Sequence, residues 1–121
     1  MPTYTGVTTE QIVFASAATV PTSWTAVYTA PPGKRAIIHW ASFYATDTQA
    51  YLVKARITTG AGVSIIIGQD QPTTAGYIWK LVDNEQVLVL DPKSSLDLIG
   101  SGTTTIAVNY YICGVLTGVP A

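Results

Sequence analysis

Apolar and polar residues alternate along much of the chain with the two-residue period of a β-strand. The alternation is clearest in residues 51–58, where every second side chain is apolar and the positions between them include Lys54 and Arg56. No segment keeps the three- and four-residue apolar spacing of an amphipathic helix, so we place no helix. The pattern predicts strands at residues 11–19, 24–29, 36–45, 51–58, 63–67, 77–82, 87–90, 95–99 and 103–116.

Glycine, proline and aspartate mark the turns between these strands. The segment Pro31-Pro32-Gly33 predicts a type II turn, because proline suits the second position of that turn and glycine the third. Residues 60–62 and 100–102, which read Gly-Ala-Gly and Gly-Ser-Gly, predict hairpin connections. Residues 83–85 predict a turn between two strands. Residues 36–45 carry bulky apolar groups on both faces, so we expect this strand in the middle of a sheet with both faces covered.

Eight or nine short strands separated by regular turns predict an all-β fold, a single-domain antiparallel β-sandwich of jelly-roll-like topology. The 121-residue chain has the length of one domain. We assign residues 10–121 to the sandwich and the threonine-rich residues 1–9 to an N-terminal arm. This arm is the segment best suited to become ordered on a neighbouring protein.

The chain is short of charge. Hydrophobic residues make up 48% of it and Asp, Glu, Lys and Arg together 11%, against about 25% charged residues in an ordinary soluble domain. A small monomer has a high ratio of surface to volume and usually needs more charge to stay unassociated. We therefore expect an obligate assembly, with copies of itself or with other protein subunits. The alternative is a monomer whose surface is covered by neutral hydroxyl groups.

Charge and hydropathy also limit the partners. The net charge is −1 and the six basic residues are scattered, which argues against nucleic-acid binding. No apolar run approaches the roughly 20 residues that span a bilayer, so we expect no membrane partner. No secretory signal is visible at the start, and synthesis in a cytoplasm is the expectation.

Few residues offer catalytic chemistry. His39 is the only histidine and lies within an apolar strand, which favours a structural role; copies of it could still converge on a symmetry axis and hold a metal. Cys113 is the only cysteine, typical of a core or interface residue. Asp83 and Glu85 are the closest carboxylate pair outside an Asp-Pro turn and could serve a polysaccharide depolymerase. Turn formation is the better interpretation, so we expect no enzyme, no cofactor and no metal site.

Two segments carry a family resemblance. Residues 27–38, VYTAPPGKRAII, bring a strand ending in Tyr-Thr to a Pro-x-Gly-Lys corner from which a long apolar strand begins. Residues 87–92, VLVLDP, and 95–98, SLDL, form two further short strands. These motifs resemble small structural proteins of tailed bacteriophages. Residues 46–49, TDTQ, depart from that group's usual asparagine-rich turn.

The resemblance implies a β-sandwich component of a virion, often trimeric and without catalytic residues. Our first expectation is a capsid decoration (cement) protein that binds the outside of the head and bridges capsid subunits. The alternative is a tail-tip or fibre-associated module that recognises a host surface glycan through exposed aromatic residues. Expected partners are further copies of the chain, in a homotrimer because three-fold assemblies suit both virion roles, and the major capsid protein or another virion protein. The candidate assembly contacts are Pro2, Tyr4, Lys34, Arg35, Tyr77 and Trp79.

Overall fold

A computed structural model describes residues 12–48, 51–71, 74–102 and 105–119. These residues form two four-stranded antiparallel sheets. The first sheet has the order β1-β8-β3-β6 and the second the order β2-β7-β4-β5. The strands are β1 (Ile12–Ala17), β2 (Thr25–Thr29), β3 (Lys34–Ala45), β4 (Leu52–Thr58), β5 (Ser64–Asp70), β6 (Ile78–Leu90), β7 (Ser95–Ser101) and β8 (Val108–Gly118).

The strand pairing is that of a jelly roll. β1 pairs with β8, β2 with β7, β3 with β6 and β4 with β5, as if one long hairpin had been rolled into two sheets. The expected single-domain antiparallel β-sandwich is confirmed, with eight strands among the described residues. The proposed arm, residues 1–9, lies outside the described residues.

Two turns form as the sequence predicts. The Lys34 amide donates to the Pro31 carbonyl over 3.1 Å, and Gly33 has a φ of 75°, the left-handed value that a type II turn requires at its third position. Residues 60–62 join β4 to β5 as a hairpin. That hairpin is closed by a hydrogen bond of 2.8 Å from the Thr59 amide to the Val63 carbonyl.

Two other turn predictions are wrong. Gly100 belongs to β7, and the chain after it crosses to the other sheet instead of forming a hairpin. A Cβ at this glycine would lie within 3.1 Å of side-chain atoms of Ile106 and Val20, so close packing and not a turn accounts for it. Residues 83–85 lie inside the continuous strand β6, where a bulge replaces the expected turn.

The bulge results from unequal lengths of two paired strands. Ile38 pairs with Leu88 and Trp40 with Asp83, so His39 on β3 faces a stretch of four residues on β6. Such a bulge bends a strand without ending it. On its other side β3 pairs with β8, and there a Cβ at Gly114 would overlap the carbonyl oxygen of Ile37.

The core lies between the inner faces of the two sheets. Its aromatic centre is Phe43, whose ring stacks on that of Trp79 at 4.7 Å between centroids and lies 6.2 Å from that of Tyr110. The other fully buried large side chains are Ile38, Val53, Leu90, Leu96, Leu98, Ile106, Val108 and Ile112. β3 lies mid-sheet as expected, but only its inner face is fully covered, because Tyr44 on the outer face is 44% exposed.

Candidate functional site

The described candidate contacts lie at two opposite ends of the sandwich. Lys34 and Arg35 begin β3, whereas Tyr77 and Trp79 lie where β6 begins. β3 and β6 are antiparallel, and the residue that pairs with Ile78 is Tyr44, near the far end of β3. Ten residues of strand separate the two groups by about 30 Å. They therefore form no common site, and Pro2 and Tyr4 lie outside the described residues.

Three of these candidates already have an intramolecular role. Arg35 Nε lies 3.0 Å from Asp91 Oδ1 in an exposed ion pair. The Tyr77 hydroxyl donates to Asp70 Oδ2 over 2.6 Å, and this hydrogen bond raises the pKa of the Tyr77 phenol. Trp79 packs inward on the core, so only part of its ring is accessible.

Most of the exposed large hydrophobic residues lie elsewhere, along β5 and β6. Six of the ten large hydrophobic side chains that are exposed among the described residues belong to these strands or to the hairpin before β5. We call this surface the apolar flank. Its members are Val63, Ile65, Ile66, Ile78, Val87 and Val89, with exposed fractions from 42% to 57%.

The two strands of the apolar flank are neighbouring edges. β5 ends the second sheet and β6 ends the first. They meet at Gly68, where a Cβ would lie 2.7 Å from Leu81 Cδ1 and 3.1 Å from Trp79 Cζ2. Beside this contact, a cavity of about 150 Å³ is lined by residues that include Ile67 and Val87. Two edges with unpaired backbone groups thus border the same side of the sandwich.

The edge strand β5 carries only two of the features that usually prevent edge-to-edge pairing, a charged residue at its last position, Asp70, and a bulge where it pairs with Ala55 and Arg56. Residues 63–69 contain no charged residue and no proline. The opposite side of the sandwich, where β1 and β2 are the edges, differs. There the tilted rings of Phe14 and Tyr28 pack together with centroids 4.4 Å apart. Among the described residues of those two strands, Val13 alone is a large exposed hydrophobic residue. The apolar flank is therefore the side whose exposed hydrophobic groups we expect another protein surface to bury.

A second surface is the outer face of the first sheet. Across the sheet, Tyr111 of β8 pairs with Ser16 of β1 on one side and with Ser42 of β3 on the other. The next row pairs Asn109 with Tyr44. Together these residues border an open groove of about 390 Å³, which also contacts Ala17, Ala18 and Tyr110. We call it the tyrosine groove.

The outer face of the second sheet carries a buried polar cluster around Asp97. This side chain is only 4% exposed, yet it accepts hydrogen bonds from Ser95 Oγ at 2.6 Å, Thr58 Oγ1 at 2.5 Å and Arg56 Nε at 2.8 Å. Burial alone would raise the pKa of the Asp97 carboxyl. The hydrogen bonds from Ser95, Thr58 and Arg56, with the guanidinium charge, outweigh burial and lower that pKa.

The Asp97 cluster is a structural device. The guanidinium of Arg56 lies 4.3 Å from the ring centroid of Trp24, which covers it from outside. Among the described residues, no buried side-chain nitrogen or oxygen lacks a hydrogen-bond partner. The cluster joins β4 to β7 and leaves no polar atom aimed at a ligand.

The residues considered for catalysis do not converge. His39 is the half-buried residue of the β3 bulge, and Cys113 is buried on β8. Asp83 is exposed and accepts a long hydrogen bond of 3.4 Å from the Glu85 amide. Among the described residues, no group of three or more His, Cys, Asp or Glu side chains could hold a metal ion. In the same part of the chain, no helix is long and apolar enough to cross a membrane.

Sequence reasoning missed the apolar flank, the tyrosine groove and the Asp97 cluster. The run Ser64-Ile65-Ile66-Ile67-Gly68 signalled the flank, because an uncharged run in an edge strand leaves apolar groups uncovered. The alternation in Ser95-Leu96-Asp97-Leu98 signalled that Asp97 faces away from the core. No pattern in the sequence indicates the strand order that brings Tyr44 beside Tyr111.

No family model matches this chain, and no curated protein matches it in sequence.

Replacing Asp97 with Asn tests the buried cluster. The folded-state pKa of Asp97 lies below its unfolded value of about 3.9. Its charge therefore stabilises the fold above that value, and the contribution is lost as pH falls through the folded pKa. In urea denaturation at pH 7 we expect Asp97→Asn to lower the free energy of unfolding by about 2 kcal/mol. The difference from wild type should shrink between about pH 5 and pH 2.

The matched control is Asp91→Asn, which removes a carboxylate from an exposed arginine pair. Its effect at pH 7 should stay below about 0.5 kcal/mol. A wild-type advantage over Asp97→Asn that is the same at pH 7 and pH 3 would contradict the assigned role.

Proposed function

We propose that this protein is a non-enzymatic structural component of a tailed-bacteriophage virion, most specifically a capsid decoration protein. It acts as a trimer on the outside of the head and bridges neighbouring capsid subunits. The observation that carries the proposal is the apolar flank, since an exposed hydrophobic surface on a charge-poor protein is typical of an assembly contact. The phage-like corner in residues 27–38 supplies the virion setting.

The flank is suited to association that depends on concentration. Each of its six side chains is about half exposed, and burying the rest contributes about 1 kcal/mol apiece. Association costs about 4–15 kcal/mol in lost freedom of motion, so the side chains alone give a marginal contact. Further stabilisation can come from the unpaired backbone groups of the edge strands β5 and β6. Assembly on a shell raises the local concentration and favours such a contact.

A second copy of the chain is the occupant that we assign to the flank. An icosahedral head offers three-fold axes, and three copies around one axis can each turn this side inward. Closure of the ring matters, because an exposed apolar edge such as β5 could otherwise template open-ended pairing. The opposite side, with Phe14 packed on Tyr28, is then left at the periphery of the trimer.

Attachment to the shell is assigned to the arm, residues 1–9. The eight strands begin at Ile12, so the arm is separate from the sandwich in sequence. A segment that becomes ordered on its partner can reach across a boundary between capsid subunits. Trimerisation and shell binding thus use different parts of the chain and can be tested apart.

Lysine substitutions test the flank as a contact between copies. Ile65→Lys on β5 and Val87→Lys on β6 each place a charge where the flank would be buried. We expect wild type to sediment as a trimer at micromolar concentration and each variant to show at least tenfold weaker association, with sedimentation velocity as the measurement. Because both side chains are more than half exposed, the thermal transition of the monomer should stay close to that of wild type.

The matched control is Val13→Lys on β1, an edge-strand valine that is 49% exposed on the opposite side. It should sediment like wild type. Equal weakening by all three lysines, or a wild-type monomer at these concentrations, would refute the contact.

The number of copies in purified particles tests the virion role. Quantitative mass spectrometry of phage encoding this chain should find hundreds of copies per particle if it decorates the head. A few to a few dozen copies would place it on the tail, and absence from the particle would refute the proposal. Deleting residues 1–9 should reduce occupancy of the head while the purified variant keeps its wild-type thermal transition. Joint loss of folding and occupancy would count against a separate arm.

A further inference from the structure

The tyrosine groove has the composition of a binding site for a neutral ligand. The residues that line it are Ser16, Ala17, Ala18, Ser42, Tyr44, Asn109, Tyr110 and Tyr111. None of these carries an ionised side chain at neutral pH, since burial raises the pKa of Tyr110 still further. Phosphate, sulfate or carboxylate ligands would find no cation among these groups. A ligand that suits the groove is therefore uncharged.

Two half-exposed aromatic rings give the groove its apolar surface. Tyr44 is 44% exposed and Tyr111 43%. Ser42 and Tyr44 lie on the same face of β3, and Ser42 pairs with Tyr111 of β8. The rings of Tyr44 and Tyr111 are therefore diagonal neighbours on adjacent strands. Diagonal neighbours of this kind lie about 7–8 Å apart. Their partly exposed rings can pack against flat ligand surfaces whose C–H groups carry partial positive charge.

The polar groups of the groove complement alcohol groups. The hydroxyls of Ser16 and the two tyrosines and the amide of Asn109 each donate and accept hydrogen bonds. Ser42 Oγ already accepts from Trp40 Nε1 at 2.9 Å, which fixes its position and leaves its own proton to donate. A pyranose ring offers apolar C–H faces and a rim of hydroxyls that match these two kinds of group.

The setting favours an extended ligand held by a preformed surface. The groove is open, so a chain of sugar rings can enter and leave along it. Its side chains lie on β1, β8 and β3, of which β8 and β3 are central strands of the first sheet and hold them in a fixed arrangement. Lys80 of β6 pairs with Ser42 at the border of the groove, and its Nζ lies 5.4 Å from the Trp40 ring centroid.

From this juxtaposition we propose that the tyrosine groove binds a neutral oligosaccharide chain. The groove adjoins the apolar flank at one point, where Tyr44 pairs with Ile78, and it does not depend on attachment to a shell. Binding sugars through this face would give the protein an adhesive function in addition to a structural one. The residues that carry it are Tyr44 and Tyr111 as stacking platforms, with Ser16, Ser42 and Asn109 as hydrogen-bonding partners.

NMR titration with defined sugars tests the proposal. The probes are hexasaccharides of α-1,4-glucose, β-1,4-glucose, α-mannose and β-1,4-N-acetylglucosamine, with sialylated and sulfated oligosaccharides as charged comparisons. We expect saturable binding of at least one neutral probe, with shifts at Tyr44, Tyr111 and the Asn109 amide. Tyr111→Ala should weaken binding at least tenfold, and so should Tyr44→Ala.

The matched control is Tyr77→Ala, which removes a tyrosine that is 40% exposed outside the groove and should leave the affinity unchanged. The Val87→Lys variant should bind the sugar like wild type, so failure of the assembly contact and failure of this site are distinguishable. The proposal is overturned if no neutral probe binds, if charged sugars alone bind, or if Tyr77→Ala abolishes binding while Tyr111→Ala does not. If a variant does not fold, the chemical shift changes of the wild-type protein still locate the binding site.

Discussion

The exposed edge shared by the two sheets is the constraint on which this account depends. A jelly roll leaves edge strands on either side of the sandwich, and here β5 and β6 border one side without charge or proline in residues 63–69. Charged residues make up 11% of the whole chain, and those of β5 and β6 are Asp70, Lys80, Asp83 and Glu85. Covering the flank with another copy removes hydrophobic groups and unpaired backbone from solvent together.

The close packing of the rest of the molecule shows that the exposed flank does not result from poor packing throughout the fold. Asp97 lies on an outer face, yet every hydrogen bond that shields its charge is short and Trp24 covers the arginine beside it. Gly114 allows β8 to approach the bulge of β3 more closely than any other residue could. The buried polar side-chain atoms are thus hydrogen-bonded within the described residues. Assembly and sugar binding fall to the surfaces that these contacts leave open.

The sequence predicted the fold better than the surfaces. Two-residue alternation located most strands, and Pro32 with Gly33 identified a turn, because both signals are local. The prediction of a turn at Gly100 was wrong because a glycine required for close packing looks the same in a sequence as a glycine required for a turn. The bulge in β6 was predicted as a turn for a similar reason, since Asp83 suits a bulge as well as a turn. The apolar flank and the tyrosine groove depend on strand order, which joins residues distant in sequence.

Hydrogen–deuterium exchange as a function of protein concentration tests the central claim most directly. Amides of β5 and β6 should exchange faster in dilute solution and become protected as concentration rises into the micromolar range. Amides of β1, an edge strand on the opposite side, should keep the same exchange rates throughout. Exchange in β5 and β6 that does not change with concentration, in a protein that stays monomeric, would contradict the claim that this flank is covered by another copy.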